Sequence, residues 1–304
     1  MTKVVLITGA TGQQGGAVVD ALLAATMDPP LTILALTRKP DSKAAKAVAS
    51  KSHTIQLIKG DLDDPRNIFV NAATYIWGVF SVQVSFGMGA NPGREERQGK
   101  ALIDAALENH VKHFLYSSVD RGTSSDSDPT NVPQFAGKHR IEKHLQEKAA
   151  GTNMTWTIFR LVGYMENLNP GFVGKATVSM WKSAISREKS LQFIALADVG
   201  HFVAQAFLNP NEYNNRTLSL AGDELTYAQA EKVFREKTGN KLPATFGFIA
   251  WAILKGVRPV RLMFKWFDDV GTTADIAELK AIHPELMTFA DWLENKSGFV
   301  VRKS

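Results

Sequence analysis

The chain has 304 residues, 44% of them hydrophobic and 21% charged, with no cysteine. Those values describe an ordinary globular protein with a sizeable core. They exclude a disordered chain, disulfides, thiolate metal sites and a cysteine nucleophile. The net charge of +5 and a pI near 9.2 suit an anionic ligand, but cations and acids interleave along the chain, so a solvated surface is expected rather than a nucleic-acid interface.

In chain order, β-branched runs predict strands at Val4–Thr8, Thr32–Thr37, Thr54–Lys59, Gly78–Val82, His113–Ser117 and Thr155–Arg160. Between them helical spacing predicts helices, notably Gly15–Ala25 and Pro92–Asn109. The second has a proline in its first turn, and Glu95 and Glu96 lie near its positive end. This alternation is that of a doubly wound parallel sheet. Val162–Lys175, rich in glycine, asparagine and aromatics, reads as a loop. Strands are expected again at Leu191–Leu196 and Thr217–Leu220, and Thr226 with Gln229 forms a capping box for a helix reaching Lys237. Beyond Lys241 the chain is helical and apolar, with Val260, Met263, Phe264 and Phe267 on one face. The expected fold class is therefore α/β, a Rossmann doubly wound parallel sheet with a smaller C-terminal α+β or helical lobe. Its domains are 1–160, rejoined by about 190–238, and a lobe of 161–189 and 239–304.

The first strand runs straight into Thr8-Gly-Ala-Thr-Gly-Gln-Gln-Gly15, which opens the first helix. That context is what a dinucleotide phosphate loop requires. Gly9 permits the tight turn, Gly12 lets the backbone approach a pyrophosphate, and Gly15 lets helix pack on strand, with Thr11, Gln13 and Gln14 supplying neighbouring donors. In NAD-specific folds an acid about 20 residues on takes the ribose hydroxyls. Here the second strand ends in Arg38 and Lys39, which suit a 2′-phosphate, so NADP(H) is favoured over NAD. Gly60-Asp-Leu-Asp-Asp64 closes the third strand, where Asp61 is a candidate acceptor for an adenine amino group and, equally, a plain turn residue.

With these residues the chain resembles the NmrA-like group of atypical short-chain dehydrogenases/reductases. It is especially similar to the NADPH-binding redox-sensor branch, whose C-terminal segment is mirrored by Asp291-Trp-Leu-Glu294. Matching segments run from Thr8–Gly16 to Met287–Phe299 and cover almost the whole chain. The resemblance implies a cofactor cleft between a Rossmann domain and a small lobe. It assigns the 2′-phosphate to Arg38, the adenine flank to Asp61 and Leu62, and the fourth-strand end to Val82 and Gln83. It places Lys138 beside the nicotinamide and matches the family's aromatic-x-Glu-Asn segment to Tyr164, Glu166 and Asn167.

One departure limits the transfer of function. Typical members of the superfamily carry a tyrosine four residues before the lysine as proton donor, and here that position is Gln134. A glutamine amide does not donate a proton at neutral pH, so Lys138, with Tyr164 by analogy, is the catalytic candidate. Ser117 and Ser118 are candidates to hydrogen-bond a substrate carbonyl and, equally, strand-end serines that only satisfy local backbone groups. The expectation is an NADPH-dependent reductase of a small carbonyl, quinone or enone, its pocket walled by Tyr164, Met165 and the 246–267 region. The alternative is a non-catalytic redox sensor acting on a protein partner, and a homodimer is left open.

Other signals are set aside. His110 and His113 do not converge as metal ligands if His113 begins a strand. His139 and His144 read as a solvated face, with His139, next to Lys138, a distant proton-donor candidate, and Arg258, Arg261 and Lys265 read as the polar side of an amphipathic helix. The first strand follows closely on Met1, so no targeting segment is expected, and the longest apolar stretch, Phe246–Leu254, is far short of the roughly 20 residues of a bilayer span. A cytoplasmic protein with no metal, nucleic-acid or membrane partner is expected.

Overall fold

The computed structural model describes residues 3–25, 30–84 and 91–302. Its first elements alternate strictly: β1 (Val4–Ile7), α1 (Gln13–Ala24), β2 (Thr32–Thr37), α2 (Lys43–Ala49), β3 (Ile55–Lys59), α3 (Pro65–Ala72), β4 (Gly78–Ser81), α4 (Pro92–Glu108), β5 (His113–Val119), α5 (Pro133–Ala149) and β6 (Thr155–Leu161). There follow β7 (Gly163–Tyr164), α6 (Phe172–Ala184), β8 (Leu191–Ile194), α7 (Leu196–Leu208), α8 (Pro210–Tyr213), β9 (Arg216–Leu220), β10 (Asp223–Leu225) and α9 (Tyr227–Thr238). The chain closes with α10 (Gly247–Gly256), α11 (Arg258–Asp269), α12 (Ile276–Ile282) and α13 (Phe289–Asn295).

Seven strands form one sheet in the order β3-β2-β1-β4-β5-β6-β9, and β1 pairs in parallel with both β2 and β4. The order reverses between β1 and β4, the switch point where doubly wound sheets open a crevice at their carboxyl ends. The central strands β1, β2, β4 and β5 are buried along nearly their whole length, as strands covered by helices on both faces must be.

The chain divides into two compact units. The first contains 1–118, 136–160 and 199–218, and the second 119–135, 161–198 and 219–304. The sequence pattern drew the return to the first unit more broadly, at 190–238. One core of the first unit joins Leu6, Leu34, Val79, Phe114 and Ile158 of the sheet to Ile68, Leu102, Ile141 and Leu145 of α3, α4 and α5. In the second unit, β10-β8-β7 form a small sheet packed into a core with Trp181, Phe193, Phe234, Phe264, Phe289 and Trp292.

Val162–Lys175 is not the loop its composition suggests: it holds β7, a 3-10 turn over Met165–Leu168 and the start of α6. Its glycines serve close packing rather than chain freedom. Gly163 lies against the Phe193 ring, with an added Cβ only 3.1 Å from it, and a Cβ at Gly174 would overlap the Asn169 backbone.

The same criterion separates two glycines of the first unit. At Gly200 on α7 a Cβ would overlap the Ala17 carbonyl of α1, whereas at Gly16 the nearest atom is 3.7 Å away. Gly200→Ala is therefore expected to destabilise by about 1–3 kcal/mol through overpacking, and Gly16→Ala to stabilise by about 0.5 kcal/mol through helix propensity. Urea unfolding of the two variants measures the contrast.

Candidate functional site

The glycine loop leaves β1 at the switch point. Gly9 has φ +62°, the left-handed region that favours glycine, and its carbonyl accepts from Gly12 N at 2.8 Å. A Cβ at Gly15 would overlap that same carbonyl, so only glycine lets α1 begin this close behind the strand. Gly12 caps α1 in an extended conformation without a side-chain hydrogen bond, and the first turn carries no acid. The first-turn N–H groups at Gln13, Gln14 and Gly15 thus have no intrahelical acceptor, and Gly9, Thr11, Gly12 and Gln13 are exposed around them.

Thr8 joins this loop to β4. Its hydroxyl donates to Val82 O at 3.0 Å and accepts from Val82 N at 2.7 Å, which holds the Val82–Gln83 corner beside the glycines. Gln83 is buried, its amide nitrogen donating to Ser81 Oγ at 2.8 Å, and its amide oxygen has no hydrogen-bond partner among the described residues.

Arg38 and Lys39 end β2 exposed, and neither side chain forms an ion pair among the described residues. The acids after β3 are engaged locally. Asp61 Oδ1 accepts from Asp63 N at 3.1 Å, closing the turn, and Asp64 caps α3 through Asn67 N. Arg94 grips Asp63 with Nε 3.0 Å from Oδ2 and holds its carboxyl below the usual carboxylate range. Leu62 packs against the core beside them.

Lys138, on α5, is buried at the end of β5. Its ammonium lies 2.9 Å from Glu95 Oε1 and donates to the Ser117 carbonyl at 3.0 Å, with the Tyr116 ring 5.6 Å away. Gln14 donates to Ser117 Oγ at 2.7 Å, so Ser117 links the glycine-loop helix to the lysine. Ser118 is corrected as a carbonyl-binding candidate: its hydroxyl donates to buried Glu142, which is also gripped by Arg160 at 2.7 Å. Glu95 is not legible in the sequence, because a glutamate in a helical first turn is ordinarily an exposed dipole partner. Only the packing of α4 turns it inward. His113, as expected for a strand residue, makes a core contact. Its Nδ1 lies 2.6 Å from Thr155 Oγ1, and burial holds its pKa down to about 4.

The remaining candidates lie in the second unit. Tyr164 is half-buried in β7, paired with Ile194, and Asn167 is exposed. Glu166 plays a structural part. Its Oε1 accepts from Leu196 N at 3.0 Å and from the Trp292 indole at 3.1 Å, and burial raises its pKa. Through this oxygen it ties β8–α7 to α13, while Oε2 is buried with no hydrogen-bond partner among the described residues. Gln134 is almost fully buried, and neither atom of its amide has a hydrogen-bond partner among the described residues. Of the expected pocket wall at 246–267, Phe264 and Trp266 are buried whereas Phe246, Phe248 and Trp251 face solvent. The apolar start of α10 is thus exposed.

Comparison with known proteins places these features in a family. The profile of the NmrA-like family matches residues 1–293. The NmrA-like family domain-containing oxidoreductase FrzB of Cladobotryum sp is 26% identical over 297 residues, covering 89% of this chain and 85% of that protein. The NADPH-dependent quinone oxidoreductase QOR2 of Escherichia coli, in complex with NADPH, superposes with a TM-score of 0.71 at 20% identity over 94% of this chain and 97% of the other. NmrA, a negative transcriptional regulator in complex with NADP, gives 0.69 at 15% identity over 97% and 95%. At those identities the two structures speak for the fold.

Two expectations follow from the buried charges. Glu95→Gln leaves the Lys138 ammonium buried without its counter-ion and is expected to cost about 3 kcal/mol in urea unfolding. Glu95→Gln with Lys138→Met should recover most of that loss, and additive losses would show that the pair is not coupled. Burial also pushes the Asp198 carboxyl up to about 6, although Oδ2 accepts from Met287 N and Oδ1 lies 3.2 Å from His283 Nε2. The folded protein then keeps a proton that the unfolded chain releases above about pH 4. Stability from this group is complete below about pH 4 and falls by about 3 kcal/mol as pH rises to about 6. Asp198→Asn should remove that slope from the pH dependence of unfolding.

Proposed function

Because the chain belongs to the NmrA-like family, we propose that it binds NADP(H) at the switch point of its first unit and is an oxidoreductase that reduces a small carbonyl, quinone or enone. The observation that carries the proposal is the uncapped, acid-free N-terminus of α1 with two cations, Arg38 and Lys39, that end the neighbouring strand and form no ion pair among the described residues. A pyrophosphate fits free N–H groups beside glycines, and a 2′-phosphate fits an exposed guanidinium better than a ribose hydroxyl does. The relatives point the same way: FrzB is named an oxidoreductase, and QOR2 was solved with NADPH.

When bound, the nicotinamide supplies a hydride. The chain's own contribution centres on Lys138. Its ammonium carries three N–H donors; Glu95 and the Ser117 carbonyl account for two, and the third is left for a ribose hydroxyl or a substrate oxygen. A charged donor fixed by a buried carboxylate needs no reorganisation when negative charge develops on that oxygen. Ser117, held by Gln14, keeps that ammonium in register with the glycine loop.

A second reading, a redox sensor that changes a protein contact when NADP(H) occupies the site, is favoured by Gln134. A buried amide stands where typical relatives carry the tyrosine proton donor, and NmrA, of like fold, is a regulator. A protein partner bound equally with and without dinucleotide would sink it.

Fluorescence titration is expected to show tighter binding of NADPH than of NADH, and Arg38→Ala should erase roughly 10- to 100-fold of that preference, the span of one or two charge-assisted hydrogen bonds. Lys138→Met with Glu95→Gln, which leaves no buried charge unpaired, should retain NADPH binding and lose NADPH consumption with quinones, enones and aldehydes. No turnover by the parent protein across such a panel would move the assignment to the sensor.

A further inference from the structure

The most apolar helix of the second unit meets the core on one side only, through Ala250, Ile253 and Leu254. α10 has a single fully buried residue, Ala250. Phe246, Phe248 and Trp251 stand in solvent at 74%, 69% and 61% exposure, joined by Phe172 and Val173 at the start of α6. The two helices pack on each other, and Thr245 N–H, just before α10, bonds Ser179 Oγ of α6 at 2.8 Å. The Phe246 and Phe248 rings stack with centroids 5.9 Å apart, and the Lys255 ammonium lies 4.7 Å from the Trp251 ring.

Charge is segregated onto the same elements. Residues 167–187 and 239–267 carry eight Lys and Arg and no Asp or Glu, which exceeds the net charge of +5 of the entire chain. Arg258, Arg261 and Lys265 line the exposed side of α11 while Phe264 faces the core. Acids flank these segments at Glu166, Glu188, Asp268 and Asp269; Glu166 is held by Trp292 and the Leu196 amide, Asp269 pairs with Lys265 at 2.8 Å, and Asp268 accepts from Ser186 N at 2.7 Å.

We propose that this face docks peripherally on an anionic lipid bilayer, with Phe246, Phe248 and Trp251 entering the boundary between headgroups and acyl chains and Lys255, Arg258 and Arg261 meeting the headgroup charge. Exposed aromatics beside an unbroken run of cations have the composition of an interfacial helix. An anionic bilayer satisfies both halves at once, apolar below and negative above. A second copy of the chain does not: an isologous contact would set these cations against one another. Among the described residues no helix is long and apolar enough to cross a membrane, so the contact is superficial. It is independent of the cofactor assignment.

The deciding experiment is co-sedimentation of the full chain with vesicles of phosphatidylcholine alone and with about 30% phosphatidylserine, a surface negative enough to attract basic segments. Pelleting is expected with the anionic vesicles only, and release on raising salt. Phe248→Ser with Trp251→Ser, and separately Lys255→Glu with Arg258→Glu, should each weaken it roughly tenfold or more. Circular dichroism, thermal unfolding and NADPH titration should stay those of the parent, because all four side chains are exposed. The proposal is overturned by no pelleting, by equal pelleting with neutral vesicles, or by anionic binding that neither variant changes. A concentration-dependent dimer abolished by the aromatic pair, without vesicle binding, assigns the face to a second copy and also overturns it.

Discussion

The first unit depends on the contact between α1 and the turn behind β1. A side chain at Gly15 would collide with the Gly9 carbonyl, so the absence of a Cβ brings the helix N-terminus to the strand end. Thr8 then locks β4 alongside through its two bonds to Val82, and Gly200 lets α7 press on the outer face of α1 at Ala17. With the switch point closed in this way, free backbone donors converge where the sheet diverges, an arrangement that favours an anion.

Two buried ion pairs bracket the end of β5 and differ in what they leave available. Arg160 and Ser118 both bind Glu142, a network directed inward that joins α5 to β5 and β6. Glu95 instead balances Lys138, whose ammonium keeps a third donor unused among the described residues. Burying such charges seldom adds net stability, and breaking one is costly. Their value here is positional: two neighbouring groups of like appearance in sequence are separated into an inward brace and the lysine to which the proposed function assigns a ligand contact.

Much of the site was legible because its parts are local. The spacing of Gly9, Gly12 and Gly15 after a β-branched run describes one turn, and Arg38 ends the next strand; neither depends on distant residues. The 162–175 segment misled for the converse reason, since its glycines answer to Phe193 and to the Asn169 backbone, contacts that composition does not encode. Glu166, matched to the ligand by its motif, also holds Trp292 and the Leu196 amide through one oxygen, the first of these a bond across more than a hundred residues that the motif does not announce.

The sequence by itself determined the alternating architecture, the phosphate-loop geometry and the cationic end of β2, because periodicity and backbone conformation are properties of short stretches of chain. Tertiary structure alone decided that Glu95 is the partner of Lys138, that Ser118 is engaged by Glu142, and that the aromatic start of α10 faces water beside a field of cations. Those outcomes turn on which face of a helix meets which neighbour, and burial and ion pairing are settled only when the packed elements exclude water between them.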